Sequence, residues 1–156
     1  MKKVYANKSL NKPSCELIID DERLYSTELK LLPFFSSYVS AGFPSPADDY
    51  IEGKLDLNTY LIKHPSATFF VRVKGESMIN AGIYDRDILI VDRSLEIVSG
   101  KIIIAAIDGQ LTVKRLLKYK NKIILNSEND LFKPIEIVEG KEVMFWGVVT
   151  SFIHFV

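Results

Sequence analysis

The pattern of apolar and polar positions changes character near residue 67. Before that point, apolar residues come in short clusters broken by charge and proline. Residues 1 to about 16 are polar and aperiodic and read as a tail. Leu17-Ile18-Ile19 is a brief apolar run closed by Asp20-Asp21-Glu22, a short strand or a docking segment. Leu29, Leu31, Leu32, Phe34, Phe35 and Tyr38 surround Pro33, which disfavours a long helix and points to an extended or irregular arm. Ser40-Ala41-Gly42-Phe43-Pro44-Ser45-Pro46-Ala47 is a largely extended loop, because proline restricts both itself and the residue before it. Asp48-Asp49 opens a polar stretch, and residues 56–62 predict a short helix with Asp56 as its N-cap.

From Ala67 onward the chain reads as strands. Ala67–Val73 is rich in β-formers, and Ile88–Val91 is a continuous apolar run suited to burial on both faces. Lys101–Ile107 and Gln110–Lys118 flank Asp108-Gly109, a strong hairpin signal. Lys122–Leu125, Pro134–Val138, Glu142–Val149 and Phe152–Val156 complete the set. Many short strands with little helix after residue 63 predict a compact, mainly β, antiparallel domain with an extended N-terminal arm.

Composition narrows the function. A chain of 156 residues allows one domain with a real core plus an arm. Lys plus Arg equals Asp plus Glu at 20 each, which argues against a general nucleic-acid binder. Lys2, Lys3, Lys8 and Lys12 form a basic start that reads as a solvated tail. The single cysteine, Cys15, excludes an intrachain disulfide and a cysteine zinc cluster, and fits a reducing cytoplasm. His64 and His154 have no metal-ligand spacing and read as structural or surface residues. No cofactor or metal is expected. No run approaches the ~18 apolar residues of a membrane span, and no signal-peptide pattern follows the first lysines. The expectation is a soluble, cytoplasmic protein.

Two residues invite a chemical reading. Ser77 follows Lys74-Gly75-Glu76 at the end of the strand-like run and precedes Met78. A serine hydroxyl is a weak nucleophile and needs a base. Lys114 lies within Leu111-Thr112-Val113-Lys114-Arg115-Leu116, and burial among such neighbours disfavours an ammonium ion, lowering the pKa toward neutrality. Each residue also has an ordinary reading. Ser77 fits a strand-end turn, and Lys114 fits a surface lysine whose stem lies along an edge strand. His64 stays open as an alternative base. Taken alone, these residues stop at a β domain with a possible Ser/Lys pair.

Several motifs in register go further. Gly75-Glu76-Ser77-Met78, Asp85-Arg86-Asp87 with Ile88-Leu89-Ile90-Val91-Asp92, and Asp108-Gly109 followed by Thr112-Val113-Lys114-Arg115-Leu116 resemble the self-cleaving peptidase domain of the LexA/UmuD group. Gly42-Phe43-Pro44-Ser45-Pro46-Ala47, Asp56-Leu57-Asn58 and His64-Pro65-Ser66-Ala67-Thr68 resemble its UmuD branch in order and spacing. The resemblance spans about residues 38–150. It implies Ser77 as nucleophile, Lys114 as general base, and backbone N–H groups of Glu76 and Ser77 as the oxyanion hole. It further implies Ala41-Gly42 as the scissile bond, so that residues 1–41 are an arm removed by self-cleavage and 42–156 the peptidase domain. Cleavage is then stimulated by RecA on single-stranded DNA, and the trimmed form is a homodimeric accessory subunit of a UmuC-type error-prone translesion polymerase. Two departures stand out. Ala41 replaces the cysteine common at this position in UmuD relatives, and Arg86 replaces the usual glycine of an Asp-Gly-Asp turn.

Three rival readings follow from the same residues. A LexA-type or phage-type repressor needs a helix-turn-helix domain, and residues 1–41 lack its periodic apolar pattern, so specific DNA binding is not expected. A signal peptidase needs a membrane anchor. A non-catalytic polymerase-binding module needs neither Ser77 nor Lys114.

Overall fold

The computed structural model describes residues 15–17, 31–35, 51–120, 122–138 and 140–156. The basic tail, the proline-rich loop and the Ala41-Gly42 bond lie outside the described residues. The chain divides into two compact units. One holds β1 (Cys15–Leu17) together with residues 64–156; the other holds β2 (Leu32–Phe35), β3 (Ile51–Leu55) and helix α1 (Leu57–Leu61).

In the smaller unit, β2 and β3 form an antiparallel pair with Pro33 opposite Lys54. Part of the predicted arm is therefore a strand. The sequence reading passed over β3, because Ile51-Glu52-Gly53-Lys54-Leu55 carries too little apolar alternation to announce itself. Asp56 caps α1 as expected, its carboxylate accepting the Asn58 N–H at 3.0 Å.

The larger unit is one antiparallel sheet. Its further strands are β4 (Thr68–Val73), β5 (Ile88–Asp92), β6 (Ile102–Ile107), β7 (Gln110–Tyr119), β8 (Lys122–Asn126), β9 (Ile135–Ile137) and β10 (Val143–Ile153). The order across the sheet is β1-β4-β5-β10-β6-β7-β8-β9. The mainly β, antiparallel expectation therefore holds. β1 begins at Cys15, inside what reads as tail, because backbone pairing of Cys15 with Val73 sets its register, and pairing of that kind needs no apolar signature.

Successive residues of β6 serve opposite faces. Ile104 joins Val71, Met78, Leu89, Val91, Leu111 and Val113, whereas Ile103 and Ala105 join Leu116, Leu125 and Val148. A sheet covered on both faces explains why its central strands read as continuous apolar runs rather than alternating ones. The Asp108-Gly109 turn has φ of 48° and 79°, the two left-handed residues of a tight hairpin turn. Residues 142–156, which read as two strands, are one strand as far as Ile153. A bulge at Thr150 shifts its register against β5, and this hides the continuity in the sequence.

Arg86 keeps the left-handed backbone of the turn it occupies, with φ 72°. Its N–H bonds the Val73 carbonyl at 2.9 Å and holds the turn to the end of β4. A side chain at a left-handed position carries strain that a glycine there would not.

Both histidines lean on buried aspartates. His64 Nδ1 lies 2.6 Å from Asp92 Oδ2, and His154 Nδ1 lies 2.7 Å from Asp87 Oδ1. Asp92 also accepts from the Ser94 hydroxyl at 2.6 Å and the Ser94 N–H at 2.7 Å. The Ser94 hydroxyl chiefly, and then His64, outweigh burial and hold the Asp92 carboxyl down from 3.8 to about 2. A depressed acid contributes stability that is complete above pH 3.8 and is lost as pH falls through about 2. Asp92→Asn removes that contribution. Thermal denaturation of parent and variant should therefore show a stability gap that narrows across this acid window. A gap constant with pH would remove Asp92 as a source of acid sensitivity.

Candidate active site

The site is built where β4 ends. After Val73 the chain turns at Gly75, whose φ of 94° requires the conformational freedom of glycine. The Gly75 N–H is held by Asp85 Oδ1 at 2.6 Å. Met78 then enters the core, 1% exposed. It anchors a short 3₁₀ turn, Ile79–Ala81, whose bonds run from the Ala81 N–H to the Met78 carbonyl at 3.0 Å and from the Gly82 N–H to the Ile79 carbonyl at 2.9 Å. Ser77 thus sits between a glycine turn and a buried anchor, on a short segment pinned at both ends.

Lys114 comes from the middle of β7. Opposite Ile103 it is paired with β6, while the pairing with β8 begins one residue later, at Arg115. Its neighbours Val113 and Leu116 are core residues, and Lys114 itself is 7% exposed. The fold brings Lys114 Nζ to 2.8 Å from Ser77 Oγ, across 37 residues of sequence. The same nitrogen donates to the Val113 carbonyl at 3.0 Å. The group beside the serine hydroxyl is an amine, and the imidazole of His64 is engaged by Asp92.

This geometry suits proton transfer. A separation of 2.8 Å is hydrogen-bond contact, within the reach required of a base on its nucleophile. Burial of an amine disfavours its charged form. Glu76 and Ser77, whose N–H groups the sequence resemblance names for an oxyanion hole, lie on the same short segment as the hydroxyl, and the other two residues named from the sequence, Ala41 and Gly42, fall outside the described residues. Among the described residues there is no group of three or more His, Cys, Asp or Glu side chains placed to hold a metal ion. Among them, too, no helix is long and apolar enough to cross a membrane.

Residues 33–150 match the family model described as Peptidase S24-like. The chain belongs to this family of serine peptidases. Similar proteins include Protein SamA of Salmonella typhimurium, 45% identical over 122 residues, which are 78% of this chain and 84% of SamA. Protein MucA of Escherichia coli is 43% identical over 121 residues, 76% of this chain and 82% of MucA. The LexA repressor of Hahella chejuensis is 44% identical over 99 residues, 64% of this chain but only 49% of the repressor. The chain is a UmuD-like member of the LexA/UmuD group.

The sequence reading missed the loop between β8 and β9. Asn129 Nδ2 donates to the Glu76 carbonyl at 2.8 Å, and the Glu128 carbonyl accepts the Asn80 N–H at 2.8 Å. Arg115, the residue after Lys114, donates from Nε to Glu128 Oε1 at 2.6 Å. Ser127-Glu128-Asn129-Asp130 reads as an ordinary polar turn. Nothing in that stretch marks Asn129, which the fold buries to 5% exposure.

Proposed function

We propose that this protein cuts its own Ala41-Gly42 bond with a Ser77/Lys114 dyad. The observation that carries the reading is the 2.8 Å approach of Lys114 Nζ to Ser77 Oγ in a member of a serine peptidase family. Neutral Lys114 takes the proton of the Ser77 hydroxyl as Oγ bonds to the carbonyl carbon of Ala41. The negative charge that develops on the Ala41 oxygen meets the N–H groups of Ser77 and Glu76. The Ala41–Gly42 C–N bond then breaks, and Lys114 passes its proton to the departing Gly42 amine. Water then attacks the acyl carbon as the same lysine takes its proton, and the lysine returns that proton to Ser77 Oγ as the ester bond breaks and the Ala41 carboxyl leaves. Alanine and glycine present little bulk to a narrow cleft, and a substrate tethered to its own enzyme has a high effective concentration.

Self-cleavage of this kind must be restrained until needed. The UmuD-like character supports an SOS-mutagenesis role, with RecA on single-stranded DNA stimulating the cut by shifting the population of cleavage-ready molecules. The trimmed chain, residues 42–156, then serves as a homodimer with a UmuC-type translesion polymerase. The test is incubation with RecA, nucleotide and single-stranded DNA, followed by intact mass measurement and N-terminal sequencing. The expected product begins at Gly42. A different new N-terminus overturns the assigned bond, and an uncut chain overturns the RecA-stimulated reading.

A further inference from the structure

We infer that Asn129 is a positioning residue that sets the oxyanion hole, through a link that also ties the nucleophile's loop to the strand of the base. The inference rests on the self-cleavage reading above. A trans peptide is planar, with its C=O and N–H pointing in opposite directions. The Glu76–Ser77 peptide is such a unit, since no described bond is cis. Whatever holds the Glu76 carbonyl therefore aims the Ser77 N–H. Asn129 holds it, through an Nδ2 donor at 2.8 Å. If this peptide flipped, the N–H would turn away and a carbonyl oxygen would face the developing anion. That exchanges an attractive dipole for a repulsive one at the point where it matters most.

Asn129 is itself held. Its Oδ1 accepts the Leu131 N–H at 3.0 Å, and its backbone carbonyl accepts the Phe132 N–H at 3.0 Å. The amide orientation is thus decided: the oxygen is committed to Leu131, so the NH₂ faces Glu76. The adjacent Glu128 extends the link in both directions. Its carbonyl takes the Asn80 N–H, beyond Ser77, and its carboxylate takes Arg115 Nε, next to Lys114. Arg115 is fixed in turn by donating to the Gly100 carbonyl at 2.7 Å. Two consecutive residues therefore contact the chain before Ser77, the chain after it, and β7 beside Lys114. Supporting hydrogen bonds of this kind keep a reacting constellation within the tolerance that catalysis needs.

The test uses full-length protein and follows first-order self-cleavage at mildly alkaline pH, where the lysine is more often neutral. Asn129→Ser keeps an oxygen that can accept the Leu131 N–H but cannot reach the Glu76 carbonyl. Asn129→Asp keeps the size and the acceptor and loses the donor. Both should lower the plateau rate by about 10- to 100-fold, somewhat less than deletion of an oxyanion donor. In Asn129→Ser the pH at which the rate rises should stay where it is in the parent, because the Ser77–Lys114 pair is untouched. Should Asn129→Ser fail to fold, the plateau rate of Asn129→Asp decides. Cleavage by either folded variant within about twofold of the parent, with Ser77→Ala inert, overturns the inference and leaves the dyad standing. So does a loss in Asn129→Ser that moves the pH of the rise along with the plateau. Continued cleavage by Ser77→Ala overturns the dyad and this inference together.

Discussion

Ser77→Ala and Lys114→Ala are each expected to abolish self-cleavage, lowering the rate by roughly 10⁴- to 10⁶-fold, as removing one member of a catalytic unit does elsewhere. The two losses should be nearly equal and should not add, because in the proposed mechanism the two side chains, 2.8 Å apart, act as one unit. Neither change should unfold the protein. Ser77 lies on a loop outside the strands, and Lys114→Ala exchanges a buried amine for a methyl group between Ile103 and the core residues of β7. Lys114→Arg should be as inactive as the alanine variant, since a guanidinium stays protonated and cannot accept the serine proton. In the parent, the rate should climb with pH as the amine loses its proton. Intact mass measured over time at several alkaline pH values checks each point. A Ser77→Ala or Lys114→Ala protein that still yields the parent's fragment at the parent's rate removes that residue from the mechanism.

Gly147→Ala carries the largest expected effect on stability. Gly147 lies where β10 crosses between β6 and β5, just past a bulge formed by the extra residue Trp146. A Cβ at this position would stand 2.7 Å from the Asp92 carbonyl oxygen and 2.9 Å from Val91 Cγ1. The nearest obstacle is backbone of the neighbouring strand, which cannot swing aside as a side chain can. Relief requires β5 and β10 to separate, at the very point where Asp92 also holds His64 and Ser94. The cost should be about 3 kcal/mol, a fall in thermal midpoint of roughly 6–12 °C for a chain of this size. Gly53→Ala is the internal control. Nothing lies within 4 Å of a Cβ there, so its effect should stay within about 0.5 kcal/mol. Equal midpoints for the two variants would show that the sheet absorbs the added methyl group.

The strands were legible wherever burial on both faces produced a continuous apolar run, as in Ile88–Val91 and Lys101–Ile107. The Asp108-Gly109 hairpin was legible because its two left-handed residues leave few choices of side chain. β3 was not legible, and neither was the start of β1, since backbone pairing alone can define a strand without apolar alternation. The bulge at Thr150 broke one strand into two for any reader who counts by alternation. At the site, Ser77 and Lys114 were each as compatible with a turn or a surface position as with chemistry, and only motifs in register raised them above that. Asn129 and Glu128 could not be singled out at all, because a polar turn gives no sign of which carbonyl it will meet.

The amino-acid sequence therefore determined the class of fold and the position of the principal strands, because local apolar pattern and turn chemistry are properties of neighbouring residues, and its motifs in register singled out Ser77 and Lys114 as candidates. The tertiary structure alone decided that an amine 37 residues away reaches the Ser77 hydroxyl, that His64 answers to Asp92 instead, and that a distant amide grips the peptide before the serine. Those are contacts between segments whose sequences carry no mark of one another, and only the pairing order of the sheet brings them together.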